Sequence, residues 1–110
     1  MAGFQKFIPK KIKDIKDYGG TVKIIISKET GSQICSGIFS LKPGEALVRD
    51  IHENDEVFYV IKGKLTVSSE KGEKVEVSGG EILLIPRGEV HFSKNLGKID
   101  TDVFWCFIES

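Results

Sequence analysis

Only two cysteines stand in this 110-residue chain, Cys35 and Cys106. They are too few and too widely spaced for a disulfide framework or a paired-thiolate metal site. Each falls inside an apolar strand-like pattern, so their expected role is that of small buried hydrophobes. Net charge is missing as well, because 16 basic residues face 16 acidic ones. No basic face stands out along the chain, which removes the electrostatic footprint of a nucleic-acid-binding protein. Apolar runs end after a handful of residues, far short of the roughly 20 that a membrane-spanning helix needs. The amino terminus, MAGFQKFIPKK, lacks the apolar core of a secretory signal, and the expected location is the cytoplasm. Internal repeats, low-complexity tracts and a convincing amphipathic helix are all absent. The length suits one domain, enough to bury roughly two-thirds of the unfolded surface in a single core.

What the chain does contain, from Thr21 onward, is a succession of short β-type runs separated by turn residues. Strands are predicted over residues 21–27, 33–41, 46–52, 56–61, 64–69, 73–77, 81–85, 89–94 and 101–109. Nine short strands at this spacing predict an all-β domain, a sandwich or a barrel. Residues 1–20 are expected to form an amino-terminal segment that packs on or extends a barrel of residues 21–110. That segment carries Lys6, Lys10, Lys11, Lys13 and Lys16 as a solvated face, with Ile12 and Ile15 spaced for a short strand or one helical turn before Gly19-Gly20. Side-chain alternation places Glu56, Phe58 and Val60 on one strand face and Val103, Trp105 and Phe107 on one face of the last strand. For the second strand, the pairs Ile38/Ser40 and Phe39/Leu41 point opposite ways, and alternation alone does not decide which looks inward. Trp105 and its aromatic neighbours read first as core.

The chemistry concentrates in two stretches. The first runs Gly44, five residues, Asp50, one residue, His52, three residues, Glu56, six residues, Gly63. The second runs Gly80, five residues, Pro86, one residue, Gly88, two residues, His91, three residues, Asn95. Asp50 and His52 share a strand face, and Glu56 opens the next strand after the polar turn Glu53-Asn54-Asp55. His91 follows the Pro86-Arg87-Gly88 turn and can face the same interior. These stretches hold both histidines of the chain. Glycines at 44, 63, 80 and 88 suit turns that need a positive φ.

His52, Glu56 and His91 make a two-histidine, one-carboxylate set, a composition suited to non-haem Fe(II) with open positions. Asp50 is open to three roles: a further ligand, an acceptor that orients an imidazole, or a base beside the metal. Both histidines could instead be hydrogen-bonded core residues, with Glu56 paired to either. Four ionisable groups converging in a strand-built interior nevertheless call for a compensating cation. Arg49 should reach solvent or a partner, Arg87 belongs to an exposed turn, Tyr59 reads as structural and Tyr18 as surface, and Ser40 and Ser93 are candidate pocket hydroxyls.

The two spacings resemble the paired motifs of the cupin superfamily, whose first motif carries His-x-His where this chain has Asp50-Ile51-His52. All the other marked positions agree, and the pair covers about half of the chain. The resemblance implies a single-domain jelly-roll β-barrel, a small-molecule pocket and a homodimer associating through edge strands. It implies a divalent transition metal at His52, Glu56, His91 and Asp50. With two carboxylates in the set, Fe or Mn is favoured, and Ni or Zn is compatible. Cupins perform many reactions, so the fold does not choose one. The expected function is that of a metal-dependent enzyme, a dioxygenase, isomerase or lyase, acting on a small oxygenated metabolite, with Glu56 or Asp50 moving a proton. The alternative is a non-catalytic cupin that binds or senses a sugar or other small ligand.

Overall fold

A computed structural model describes residues 3–8 and 19–109 of the chain. Nine strands are present: β1 (Thr21–Ile26), β2 (Ile34–Leu41), β3 (Ala46–Asp50), β4 (Glu56–Lys62), β5 (Lys64–Ser69), β6 (Lys74–Ser78), β7 (Ile82–Ile85), β8 (His91–Lys94) and β9 (Thr101–Ile108). All nine coincide with predicted runs. Residues 3–8 are in neither strand nor helix. The short strand or helical turn expected around Ile12 and Ile15 lies outside the described residues, as does Tyr18. No helix among the described residues is long and apolar enough to cross a membrane.

The strands form two sheets, one ordered β1-β2-β9-β4-β7 and the other β3-β8-β5-β6. Strand partners are antiparallel. Because sequence neighbours such as β3 and β4 sit in different sheets, the chain crosses repeatedly between layers, the winding of a jelly roll. Alternation along each strand then fills the space between the sheets. Phe39, Leu41, Phe58, Val60, Val103 and Trp105 come from the larger sheet, and Leu65, Val67 and Val77 from the smaller one, all buried. The face of β2 that alternation left undecided is thereby settled: Phe39 and Leu41 point inward. Ser40 instead donates its hydroxyl to Asp102 Oδ1 at 2.7 Å across the β2–β9 pair. Tyr59 lies on the outer face, beside Ile82 and Phe104 on the neighbouring strands, and all three are exposed.

Two glycines allow close approaches. A Cβ at Gly37 would fall onto the Lys23 carbonyl of β1 and lie 2.8 Å from Trp105 Cζ2, so β1 can cross β2 tightly only over this residue. Gly63, at φ 85°, turns β4 into β5 directly against Thr101. The other motif glycines, 44, 80 and 88, also have positive φ.

Asn95, at the end of the second motif, is fully buried. Its Nδ2 donates to Leu41 O (2.9 Å) and Ile99 O (2.8 Å), while Oδ1 accepts from Gly97 N (2.9 Å). Its own backbone bonds Glu45 O and Gly44 N. One side chain thus ties the exit of β2 to the loop before β9, and its backbone ties both to the entry of β3. Asn95→Ala should lower stability by roughly 1–3 kcal/mol, since the buried Leu41 carbonyl and the part-buried Ile99 carbonyl lose their donor. Asn95→Asp should cost at least as much, because it sets an oxygen against those carbonyls. Equilibrium urea unfolding of the two variants checks this ordering.

Candidate metal centre

Asp50 ends β3, Glu56 opens β4 and His91 opens β8, with His52 just beyond the end of β3. The expected strand through His52 stops two residues early because the His52 carbonyl accepts from Gly88 N (2.9 Å), joining the two motif loops in place of a ladder. The β3–β8 register shifts between Leu47 and Asp50, and beyond the shift Asp50 lies opposite His91. This irregularity brings the carboxylate of one motif over the imidazole of the other.

The four side chains meet. His52 Nε2 lies 3.1 Å from Asp50 Oδ2 and 3.4 Å from Glu56 Oε1. His91 Nε2 lies 3.2 Å from Glu56 Oε1 and 4.0 Å from Asp50 Oδ2. One ligand atom from each residue falls within 4.8 Å of all the others. Aromatic rings fix the imidazoles: Phe107 stacks on His52 (centroids 4.0 Å apart, 23° between planes), and Phe58 meets His91 edge-on at 5.9 Å. Sequence reading assigned these aromatics to core packing. Their alternation gave the face but not the contact with the histidines, which depends on how the two sheets are offset.

The hydrogen bonding of His91 exposes what the cluster lacks. Its Nδ1 lies 3.0 Å from the Glu89 carbonyl. A carbonyl only accepts, so Nδ1 carries the proton, and in the neutral ring Nε2 presents a lone pair. That lone pair faces Glu56 Oε1, another acceptor, and both atoms are buried with no well-aligned hydrogen-bond partner among the described residues. Either a proton or a cation must stand between them. Ligand atoms held cis at about 2.1 Å from one ion stand about 3 Å apart, close to the spacings found here. Imidazole nitrogen and carboxylate oxygen are donors that suit a divalent transition metal, so Asp50, His52, Glu56 and His91 could hold one.

Without a cation, protons do the compensating. The hydrogen bond to Asp50 raises the His52 pKa above its ordinary 6.5, outweighing burial. For His91, burial pulls downward, but the adjacent Glu56 carboxylate and the Glu89 carbonyl prevail and the pKa is raised. Burial pushes Asp50 up, yet His52, His91 and the Ile51 N–H together hold it below 3.8.

A cavity of about 180 Å³ is lined by Asp50, His52 and Glu56 of the cluster but not by His91. Its walls are chiefly apolar, with Val22, Phe39, Leu47 and Trp105 among them, and the partly exposed Ile24 and Val48 mark its rim. Cys35 is part of the wall, its thiol pushed up to about 11 by burial and by Glu109, so it contributes a neutral surface. Neither candidate hydroxyl lines this cavity: Ser40 turns outward to Asp102, and Ser93 is buried elsewhere in the barrel. Arg49 and Arg87 are exposed and paired loosely with Glu70 (3.7 Å) and Asp55 (3.8 Å).

A two-sheet jelly roll with histidines and carboxylates converging between its sheets defines the cupin class. The chain belongs to the cupin family: residues 37–107 match the cupin domain model. It is 36% identical over 100 residues to an "Uncharacterized protein" of Aquifex aeolicus (strain VF5), covering 84% of this chain and 80% of the other. Among solved structures it resembles an RmlC-like cupin from Methanocaldococcus jannaschii, with TM-score 0.78, 15% identity, and 96% and 91% of the two chains covered. It also resembles a "predicted oxalate decarboxylase" from Thermotoga maritima, with TM-score 0.73, 22% identity, and 96% and 95% covered.

The shifts set a pH signature for metal-free protein. Raised imidazole pKa values contribute stability fully present below about 6.5 and lost as pH rises through the folded values. The lowered Asp50 value contributes stability present above about 3.8 and lost as pH falls through its folded value. Metal-free protein should therefore be less stable at pH 8.5 than at pH 5.5 as far as this cluster is concerned, as urea midpoints of wild type against a His52→Gln, His91→Gln double variant would show. Saturating Zn(II) should reverse the trend, since it binds the neutral rings.

Proposed function

We propose that the protein is a metal-dependent cupin enzyme acting on a small oxygenated metabolite, with His52, His91, Glu56 and Asp50 holding one divalent ion. The single observation that carries this reading is the buried pair of facing acceptors, Glu56 Oε1 and His91 Nε2, at 3.2 Å. Two carboxylates in the set favour Fe(II) or Mn(II), with Ni(II) and Zn(II) as compatible substitutes. When bound, such an ion polarises a carbonyl or stabilises an enolate.

The chain's own residues divide the remaining work. Phe107 and Phe58 hold the imidazole planes, and the Glu89 carbonyl fixes the tautomer of His91. Glu56 is buried, which suits a fixed ligand. Asp50 has a half-exposed side chain and a lowered pKa, so it is an ionised carboxylate at the rim that can accept a proton from a ligand and return it to solvent. The chiefly apolar walls offer few partners for the hydroxyls of a sugar. This supports a compact metabolite with few hydroxyls over the alternative of a sugar-sensing cupin. The Thermotoga maritima neighbour named for oxalate decarboxylation shares the fold, and its named chemistry is one within reach of a cupin metal site.

Protein purified without chelator should carry about one divalent ion per chain, and His91→Ala or His52→Ala should lose it, as elemental analysis will show. Less than about a tenth of an equivalent after reconstitution with Fe(II), Mn(II), Ni(II) and Zn(II) in turn, with stability unchanged, would falsify metal binding. Asp50→His should leave the fold intact and shift preference toward softer ions. Turnover of keto acids or enediols by metal-loaded protein, lost in Asp50→Asn with metal retained, separates catalysis from binding alone.

A further inference from the structure

The cavity beside the cluster divides sharply by chemistry. Its polar side chains are Asp50, His52 and Glu56, all members of the cluster, and every other side chain of the lining is apolar or, for Cys35, a neutral thiol. No lysine, arginine, amide or hydroxyl side chain belongs to the wall among the described residues. The apolar part begins directly at the cluster. Phe107 stacks on His52 at 4.0 Å and Trp105 on Phe107 at 5.8 Å, with 23° and 22° between the planes. A run of nearly parallel rings thus starts at a candidate ligand and continues as apolar wall.

The way in is apolar too. β1 and β3 are each an edge strand of their sheet, and the lining takes Val22 and Ile24 from the first and Leu47 and Val48 from the second. The mouth therefore lies along the seam between two sheet edges, where Ile24 is 40% and Val48 50% exposed. Well-packed interiors hold few voids larger than a water molecule. The volume of about 180 Å³ is room for roughly six water-sized groups at about 30 Å³ each. A carboxylate, a carbonyl and about four aliphatic carbons fill that space.

We propose that the cavity takes a 2-oxo acid or enediol with an apolar tail: the ligand's oxygens stand at the cluster, and an aliphatic chain of about four carbons lies along Phe107 and Trp105. A second charge at the far end of that chain is disfavoured, because no side chain of the described wall can pair with it. This rests on the reading that the four residues hold a divalent ion, and it assigns the part of the ligand that the ion does not meet.

Zinc-loaded full chain and three 2-oxo acids test this. The probes are 4-methyl-2-oxopentanoate, with a branched apolar tail; pyruvate, with a methyl group alone; and 2-oxoglutarate, whose tail ends in a second carboxylate. Each buried methylene is worth about fourfold in affinity, so calorimetry should find pyruvate binding about thirtyfold more weakly than 4-methyl-2-oxopentanoate, and 2-oxoglutarate at least as weakly. Nuclear Overhauser effects should join the branched methyl protons to ring protons of Phe107 or Trp105. Ile24→Lys sets an ammonium at the exposed mouth, outside the cluster, and should tighten 2-oxoglutarate about tenfold while leaving pyruvate unchanged; no gain overturns the account of charge selection. If wild type retains its zinc yet binds pyruvate or 2-oxoglutarate as tightly as 4-methyl-2-oxopentanoate, or the methyls show no ring contact, the proposal falls and the metal reading stands. A chain that retains no zinc takes both down.

Discussion

A carboxylate oxygen buried between two imidazole nitrogens is the constraint around which this barrel is arranged. Glu56 Oε1 sits 3.2 Å from one Nε2 and 3.4 Å from the other, out of reach of bulk water. Such a group cannot be left to solvent, and it cannot be satisfied by lone pairs. Much of the local structure keeps it there: the Gly88–His52 bond between motif loops, the shift in β3–β8 pairing, and the aromatic rings against each imidazole. The surrounding apolar core then strengthens every charge effect at the cluster, because few water dipoles remain to screen it.

Much of this was legible in the sequence, for identifiable reasons. Strand alternation has a period of two, so Glu56, Phe58 and Val60 could be assigned to one face with no knowledge of the partner strands. Turn residues carry their own conformational preferences, and Gly44, Gly63, Gly80 and Gly88 marked loops that the structure confirms. His52, Glu56, His91 and Asp50 could be grouped because two spaced motifs carry them at matching strand ends, although β3 and β4, expected to lie side by side, belong to different sheets. What stayed out of reach was set by contacts between sheets. Whether Phe39 or Ile38 faced inward depended on the offset of β2 against β9, and Ser40 became an outer-face partner of Asp102 for the same reason. Trp105 looked like core because burial is visible in a pattern, while the lack of an acceptor for its N–H among the described residues is a property of the assembled fold.

The cavity and the cluster also constrain each other. An apolar chamber lined by Phe39, Phe58 and Leu47 raises the cost of any unpaired charge at its end. A cluster with balanced charge is therefore compatible with walls that a strongly charged site would not tolerate. The thiol of Cys35 conforms to the same rule, since burial keeps it protonated.

Asp50 is the most solvent-exposed member of the cluster and stands at the end of a strand. Aspartate and histidine codons differ only in their first base, so the step between this chain's first motif and the His-x-His form is a single point mutation. Its location means that the mutation alters side chain and charge at a half-exposed position outside the buried core. A change of charge at position 50 is therefore open to evolution without first dismantling the core of the protein that carries it.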